Sequence, residues 1–142
     1  VVRVVLDTNV VVSAYLVSTG KPARILSLAR QGKIDICLSE DILGEIKRTL
    51  LRPKLQKIHK ATPYEIDRFL RAFTEVVNLV PGTMEVDEVN ADQDDNKVLA
   101  CALESEADFI VSGDHHLTDI VSFRGIPIVK PDAFLGIIAG QS

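Results

Sequence analysis

The chain has 142 residues, 46% apolar and 25% charged, with 16 basic against 20 acidic side chains and a net charge of −4. That length and balance suit one globular domain, residues 1–142, with a core of its own. No apolar run approaches the roughly 20 residues of a membrane-spanning helix, and no basic segment followed by an apolar one marks a secretory signal, so the cytoplasm is the expected location.

Arg3 to Leu6 reads as a buried strand that stops at Asp7. A helix is expected from about Val10 and is broken near Gly20. Pro22 opens a second helix whose apolar face is Ile25, Leu26, Leu28 and Ala29, and Gly32 ends it. Ile34 to Leu38 is a second strand. Ser39 then caps a helix with Glu40 and Asp41 in its first turn and Ile42, Leu43, Ile46 and Leu50 at helical spacing. Pro53 interrupts this helix or starts the next. Thr62, Pro63 and Glu65 spell a capping box for a helix that buries Ile66, Phe69, Leu70 and Phe73.

Val76 to Val80 is a third strand, ended by Pro81 and Gly82, and Met84 to Asn90 is an irregular loop by composition. Asp95 to Glu106 is helical, with Val98, Leu99, Ala102 and Leu103 facing inward. Phe109 to Val111 and Ile126 to Val129 are the fourth and fifth strands, and the last helix starts near Pro131. Cys37 and Cys101 sit in apolar segments with no CxxC spacing and read as two reduced thiols.

Apolar strands alternating with helices imply a parallel sheet covered on both faces, and ligands of such sheets bind beyond the carboxyl ends of the strands. Acids stand at those ends. Asp7 follows strand one directly, although Asp-Thr-Asn also suits a turn. Asp114 follows strand four, with Gly113 allowing a sharp turn. Asp95 lies in line with Val98, Leu99 and Ala102 at a helix start, where Asp92 three residues earlier can cap the same helix. Asp92, Asp94 and Asp95 repel one another, and a cation would relieve that.

Glu45 sits at the flank of the stripe Ile42, Ile46 and Leu50, shared with Arg48 and Arg52, and a surface ion pair with Arg48 is its plainer reading. Together, Asp7, Glu45, Asp95 and Asp114 form a set of hard oxygen ligands suited to Mg²⁺ or Mn²⁺ rather than zinc, and able to serve phosphodiester hydrolysis. Without those four acids the chain's positive and negative charges balance. Between Glu45 and Glu65 the sequence holds no acid, and Lys47, Arg48, Arg52, Lys54, Lys57 and Lys60 are the candidates for phosphate contact, or else a solvated helix face. His59 belongs to that stretch, and His115 and His116 read as exposed loop residues.

The segments VVLDTNVVVSA, DQDDNKVLACALESEADFIVSGDHHL and GIPIVKPDAFL resemble the PIN-domain family, in particular its VapC-like branch of toxins from toxin–antitoxin pairs. The resemblance implies a three-layer α/β/α Rossmann-like sandwich around a parallel sheet of about five strands. It also implies Mg²⁺- or Mn²⁺-dependent cleavage of RNA, a homodimer and an antitoxin partner. The family's acidic quartet falls on Asp7, Glu45, Asp95 and Asp114, its first-acid-orienting asparagine on Asn9, and its hydroxyl near the last acid on Ser112. Three other readings stand beside the toxin. One is a stand-alone PIN nuclease in RNA processing, and another is an inactive module that holds RNA or a partner. The third is a haloacid-dehalogenase-type phosphatase, which Asp7 and the Gly113-Asp114 pair with Asp119 resemble, although Asn9 replaces its second aspartate.

Overall fold

A computed structural model of the chain describes residues 1–88 and 92–140. In chain order the elements are β1 (Val2–Leu6), α1 (Thr8–Leu16), α2 (Lys21–Arg30), β2 (Ile34–Ser39), α3 (Glu40–Leu50), α4 (Pro53–His59), α5 (Pro63–Glu75) and β3 (Val77–Val80). There follow α6 (Gln93–Glu104), β4 (Phe109–Val111), α7 (His115–Thr118), β5 (Ser122–Phe123), β6 (Ile126–Val129) and α8 (Pro131–Gly140). One sheet carries the strands in the order β3-β2-β1-β4-β6-β5. All pairings are parallel except that of the two-residue β5 with β6.

Val4, Val5 and Leu6 of β1 are all fully buried, so the centre of the sheet is covered on both faces. Helix α6 packs across β1, β2 and β4, while α1, α2 and α8 pack in series. This is the expected three-layer α/β/α sandwich. The strand order reverses between β1 and β4: the chain builds outward from β1 to β3, then crosses back to β4 on the other side of β1. The carboxyl ends of β1 and β4 therefore flank the crevice where an open α/β sheet offers a site.

The five expected strands are all present. The sixth, β5, is too short to carry an alternating pattern, and the four-residue α7 is likewise invisible to periodicity. Helix α1 begins at Thr8, directly after the strand, and not near Val10. Helix α6 starts two residues earlier than the apolar stripe suggests, because Asp92 is its N-cap and accepts from the Asp95 amide at 2.8 Å. It also ends two residues earlier, where Ser105 bonds back to the Cys101 carbonyl and Glu106 turns to a positive φ. Pro53 opens α4. The irregular loop is found from Met84 to Glu88; Val89 and Asn90 lie outside the described residues. Cys37 and Cys101 are free and buried.

Helix α5 depends on its start. Thr62 Oγ1 accepts from the Glu65 amide at 3.2 Å, and Glu65 Oε1 accepts from the Thr62 amide at 3.2 Å. Thr62→Ala should cost about 1 kcal/mol, seen as a lower urea midpoint at an unchanged slope; an unmoved midpoint would mean that packing of Ile66 and Phe73 alone sets the helix boundary.

Candidate active site

Asp7 follows β1 without a break, and its amide donates to the Val111 carbonyl of β4 at 3.0 Å, so the ladder runs on to the acid itself. Ser112, fully buried at the end of β4, donates its hydroxyl to Asp7 Oδ2 at 2.8 Å. The same Ser112 oxygen accepts from the Asp114 amide at 3.0 Å. One hydroxyl thus ties together the two acids at the strand ends. Burial pushes the Asp7 carboxyl above its usual range. The Ser112 bond and the nearby Thr8 and Asn9 amides pull it back, and the Asp114 charge pushes it up further.

Asp95 is buried at the third position of α6. Its pKa rises to about 6, first through burial, then through the charge of Asp92, with smaller contributions from Asp114 and Asp7; the Asp92 amide opposes the rise. The capping role that competed for Asp95 is filled by the Asp92 side chain. Asp114 does cap α7, accepting from the His116 amide at 2.9 Å, and His115 Nδ1 stands 4.0 Å from its carboxylate.

Glu45 is half-buried on α3. Burial raises its pKa, the Thr8 hydroxyl lowers it, Asp94 and Asp7 raise it, and Lys97 lowers it. The surface ion pair with Arg48 is absent among the described residues.

Glu45, Asp95 and Asp114 therefore each lie within electrostatic reach of Asp7, and Asp95 also feels Asp114. They are not drawn into a tight cluster: among the described residues no three Asp, Glu, His or Cys side chains stand ready around one point. The donor chemistry nonetheless fits a hard divalent cation, since the four candidate ligands are all carboxylates and the Ser112 hydroxyl joins two of them. An orphaned polar atom adds to the fit. Thr8 Oγ1 is buried and has no hydrogen-bond partner.

Other expected residues fall as follows. Asn9 is exposed and its side chain makes no hydrogen bond among the described residues; its backbone amide acts on Asp7. Lys47 is held by Asp67 of α5 at 3.1 Å. At 100° per residue it projects from the flank of α3 opposite Glu45; the Arg48 guanidinium lies against Gly44, and Arg52 is the N-cap of α4. Lys54 and Lys57 are exposed on α4. His59 does not belong to this basic surface: its Nδ1 accepts from the Ala61 amide at 2.9 Å, so Nε2 carries the proton and donates to the Leu50 carbonyl at 3.0 Å. Sequence reading missed Thr8 and Lys97, and placed Asp94 only in the acidic run at the start of α6, not beside Glu45. Asp94 and Lys97 sit off the apolar stripe of α6, and only the packing of α3 against α6 brings them to Glu45.

The raised pKa of Asp95 has a definite sign for stability. Its folded value of about 6 exceeds the ordinary aspartate value of 3.8, so the folded state binds the proton more tightly. The resulting penalty is absent below pH 4, grows as pH rises, and is complete above about 6. In chelator at pH 7.5, Asp95→Asn should melt on the order of 5 °C above wild type, and the gap should close near pH 4. A variant that melts below wild type at pH 7.5 would mean that the carboxylate supports the fold.

The comparisons with known proteins agree with this architecture. A PIN-domain family model matches residues 3–116, a span that holds all four acids. The uncharacterized protein MJ1680 of Methanocaldococcus jannaschii is 37% identical over 123 residues, covering 87% of this chain and 76% of that protein. A chain in the crystal structure of VapBC2 from Rickettsia felis, bound to a DNA fragment from their promoter, superposes with a TM-score of 0.60 over 90% of this chain and 98% of that one. Its identity is 12%, so that likeness is one of fold. The sequence match, the parallel sheet with its reversal between β1 and β4, and the acids at that reversal agree: the chain belongs to the PIN-domain family, whose members are generally nucleases.

Proposed function

We propose that this chain is a Mg²⁺- or Mn²⁺-dependent endoribonuclease and the toxin of a toxin–antitoxin pair. The observation that carries the reading is the buried Asp7, held by Ser112 at the strand-order reversal with the charges of Glu45, Asp95 and Asp114 around it. On this reading those four carboxylates hold the ion. A bound divalent ion supplies Lewis acidity to the phosphodiester and a more acidic water. Ser112 fixes the orientation of Asp7, and Asp92 sets the start of α6 and with it the position of Asp95. Arg48 and Arg52, with Lys54 and Lys57, contact the RNA backbone, and Lys97 offsets the charge beside Glu45.

The antitoxin partner rests on the shared fold with a chain of the VapBC2 complex; the homodimer and the cytoplasmic location rest on the family resemblance. A stand-alone nuclease in RNA processing is the alternative within the family. A short upstream reading frame encoding a DNA-binding protein would favour the toxin. The phosphatase reading has lost its support to the family match.

Purified protein should cleave RNA with Mg²⁺ or Mn²⁺ and stop in EDTA, and Asp7→Asn should lower the rate at least about 100-fold while leaving the fold intact by circular dichroism. Full activity in chelator would overturn the mechanism. Replacing Arg48 and Arg52 by Ala should flatten the salt dependence of RNA binding by about 0.7 in log–log slope per lost contact; an unchanged slope would remove them from the RNA surface.

A further inference from the structure

Thr8 carries a buried hydroxyl with no partner, the only such side-chain atom among the described residues. The reason is local. A threonine inside a helix satisfies its hydroxyl on a carbonyl one turn back, as Thr74 does on Leu70 at 2.6 Å. Thr8 is the first residue of α1, and the residue one turn back belongs to β1. Its hydroxyl is therefore sealed in place without that outlet.

Helix α3 packs on α1 and brings Glu45 beside Thr8. The Glu45 carboxyl takes part in no ion pair among the described residues, and the Thr8 hydroxyl acts on it as a hydrogen-bond donor, lowering its pKa. A buried donor without a closed bond and an acceptor that it acts on thus lie next to each other. Either group alone has a bland explanation, since a half-buried carboxyl can reach water. Side by side, beneath the crevice that holds Asp7, they complement each other.

We propose that Thr8 is the positioning residue for Glu45: the Thr8 hydroxyl donates to the Glu45 carboxylate and fixes its orientation for the divalent ion that the site would hold. This rests on the metal-dependent reading above. Partners of this kind, which hold a ligand without touching the metal, commonly change metal affinity 10–100-fold.

The test is Mn²⁺ titration by calorimetry, with melting curves in chelator, on wild type, Thr8→Val, Thr8→Ala and Thr8→Ser. Thr8→Val keeps the branched shape and should melt in chelator at or above wild type. It should bind Mn²⁺ about tenfold more weakly. Thr8→Ala should show the same loss, so the result does not depend on how one variant packs. Thr8→Ser restores the hydroxyl and should restore affinity to within about twofold of wild type. In a Glu45→Gln background Thr8→Val should add little, because the two residues act as one unit. Wild-type affinity in both hydroxyl-free variants, or a full additional loss in the Glu45→Gln background, overturns the assignment while leaving the nuclease reading intact. A wild type that takes up no Mn²⁺ overturns both.

Discussion

The pairing of β1 with β4, and the serine hydroxyl that extends it, is the constraint on which the site depends. Val4, Val5 and Leu6 lie opposite Phe109, Ile110 and Val111. Continuing that register sets Asp7 opposite Ser112, and the 2.8 Å bond closes the pair. A slip of one residue would send Asp7 to the other face of the sheet and leave two buried polar groups unmatched. Fully buried apolar residues on both strands hold the register from one end, and the serine holds it from the other. The Asp114 amide reads its position from the same oxygen, so the second acid inherits the precision of the first.

Around this joint the physics is adverse. Asp7, Asp95 and Glu45 all have raised pKa values, and in each case burial is the leading cause. A domain gains nothing for its own stability by burying carboxylates near each other without cations. The expense is sustained by the core on either side, where β1, β2, α3, α6 and β4 contribute a continuous set of fully buried aliphatic side chains. Rigid elements, rather than loops, present Asp7, Glu45 and Asp95, and the crossover from β3 back to β4 brings α6 to the same edge as β1.

Much of this was legible in the sequence, for identifiable reasons. Runs of consecutive apolar residues can be strands only if both faces are covered, and Val4–Leu6 of β1, Ile36–Leu38 of β2 and Phe109–Val111 of β4 follow that logic. Thr62-Pro63-Tyr64-Glu65 encodes its cap locally, so α5 was readable to the residue. Asp7 and Asp114 were readable because each ends an apolar strand. What escaped was set by tertiary packing. The carboxyl of Glu45 faces Thr8, Asp94 and Lys97 because α3 lies between α1 and α6, and no period in the sequence reports that neighbourhood. The basic run from Lys47 to Lys60 looked uniform, yet the structure divides it: Lys47 is committed to α5, His59 to backbone groups of Leu50 and Ala61, and Lys54 and Lys57 stay exposed on α4.

The start of α6 shows why capping alone is a poor account of the acids there. Asp92, Asp94 and Asp95 stand within one turn, and a helix N-terminus welcomes negative charge. One aspartate satisfies that need, and Asp92 does so with a direct bond to the Asp95 amide. At 100° per residue the other two diverge. Asp94 acts on Glu45, whereas Asp95 turns inward, is buried, and feels Asp7 and Asp114. An exposed first-turn acid would collect the same dipole benefit without the burial that lifts Asp95 to about 6. The helix dipole therefore explains why acids are tolerated at this end of α6, but not why one of them is buried against two more. That placement is unfavourable to the isolated fold and becomes favourable only when positive charge enters the crevice.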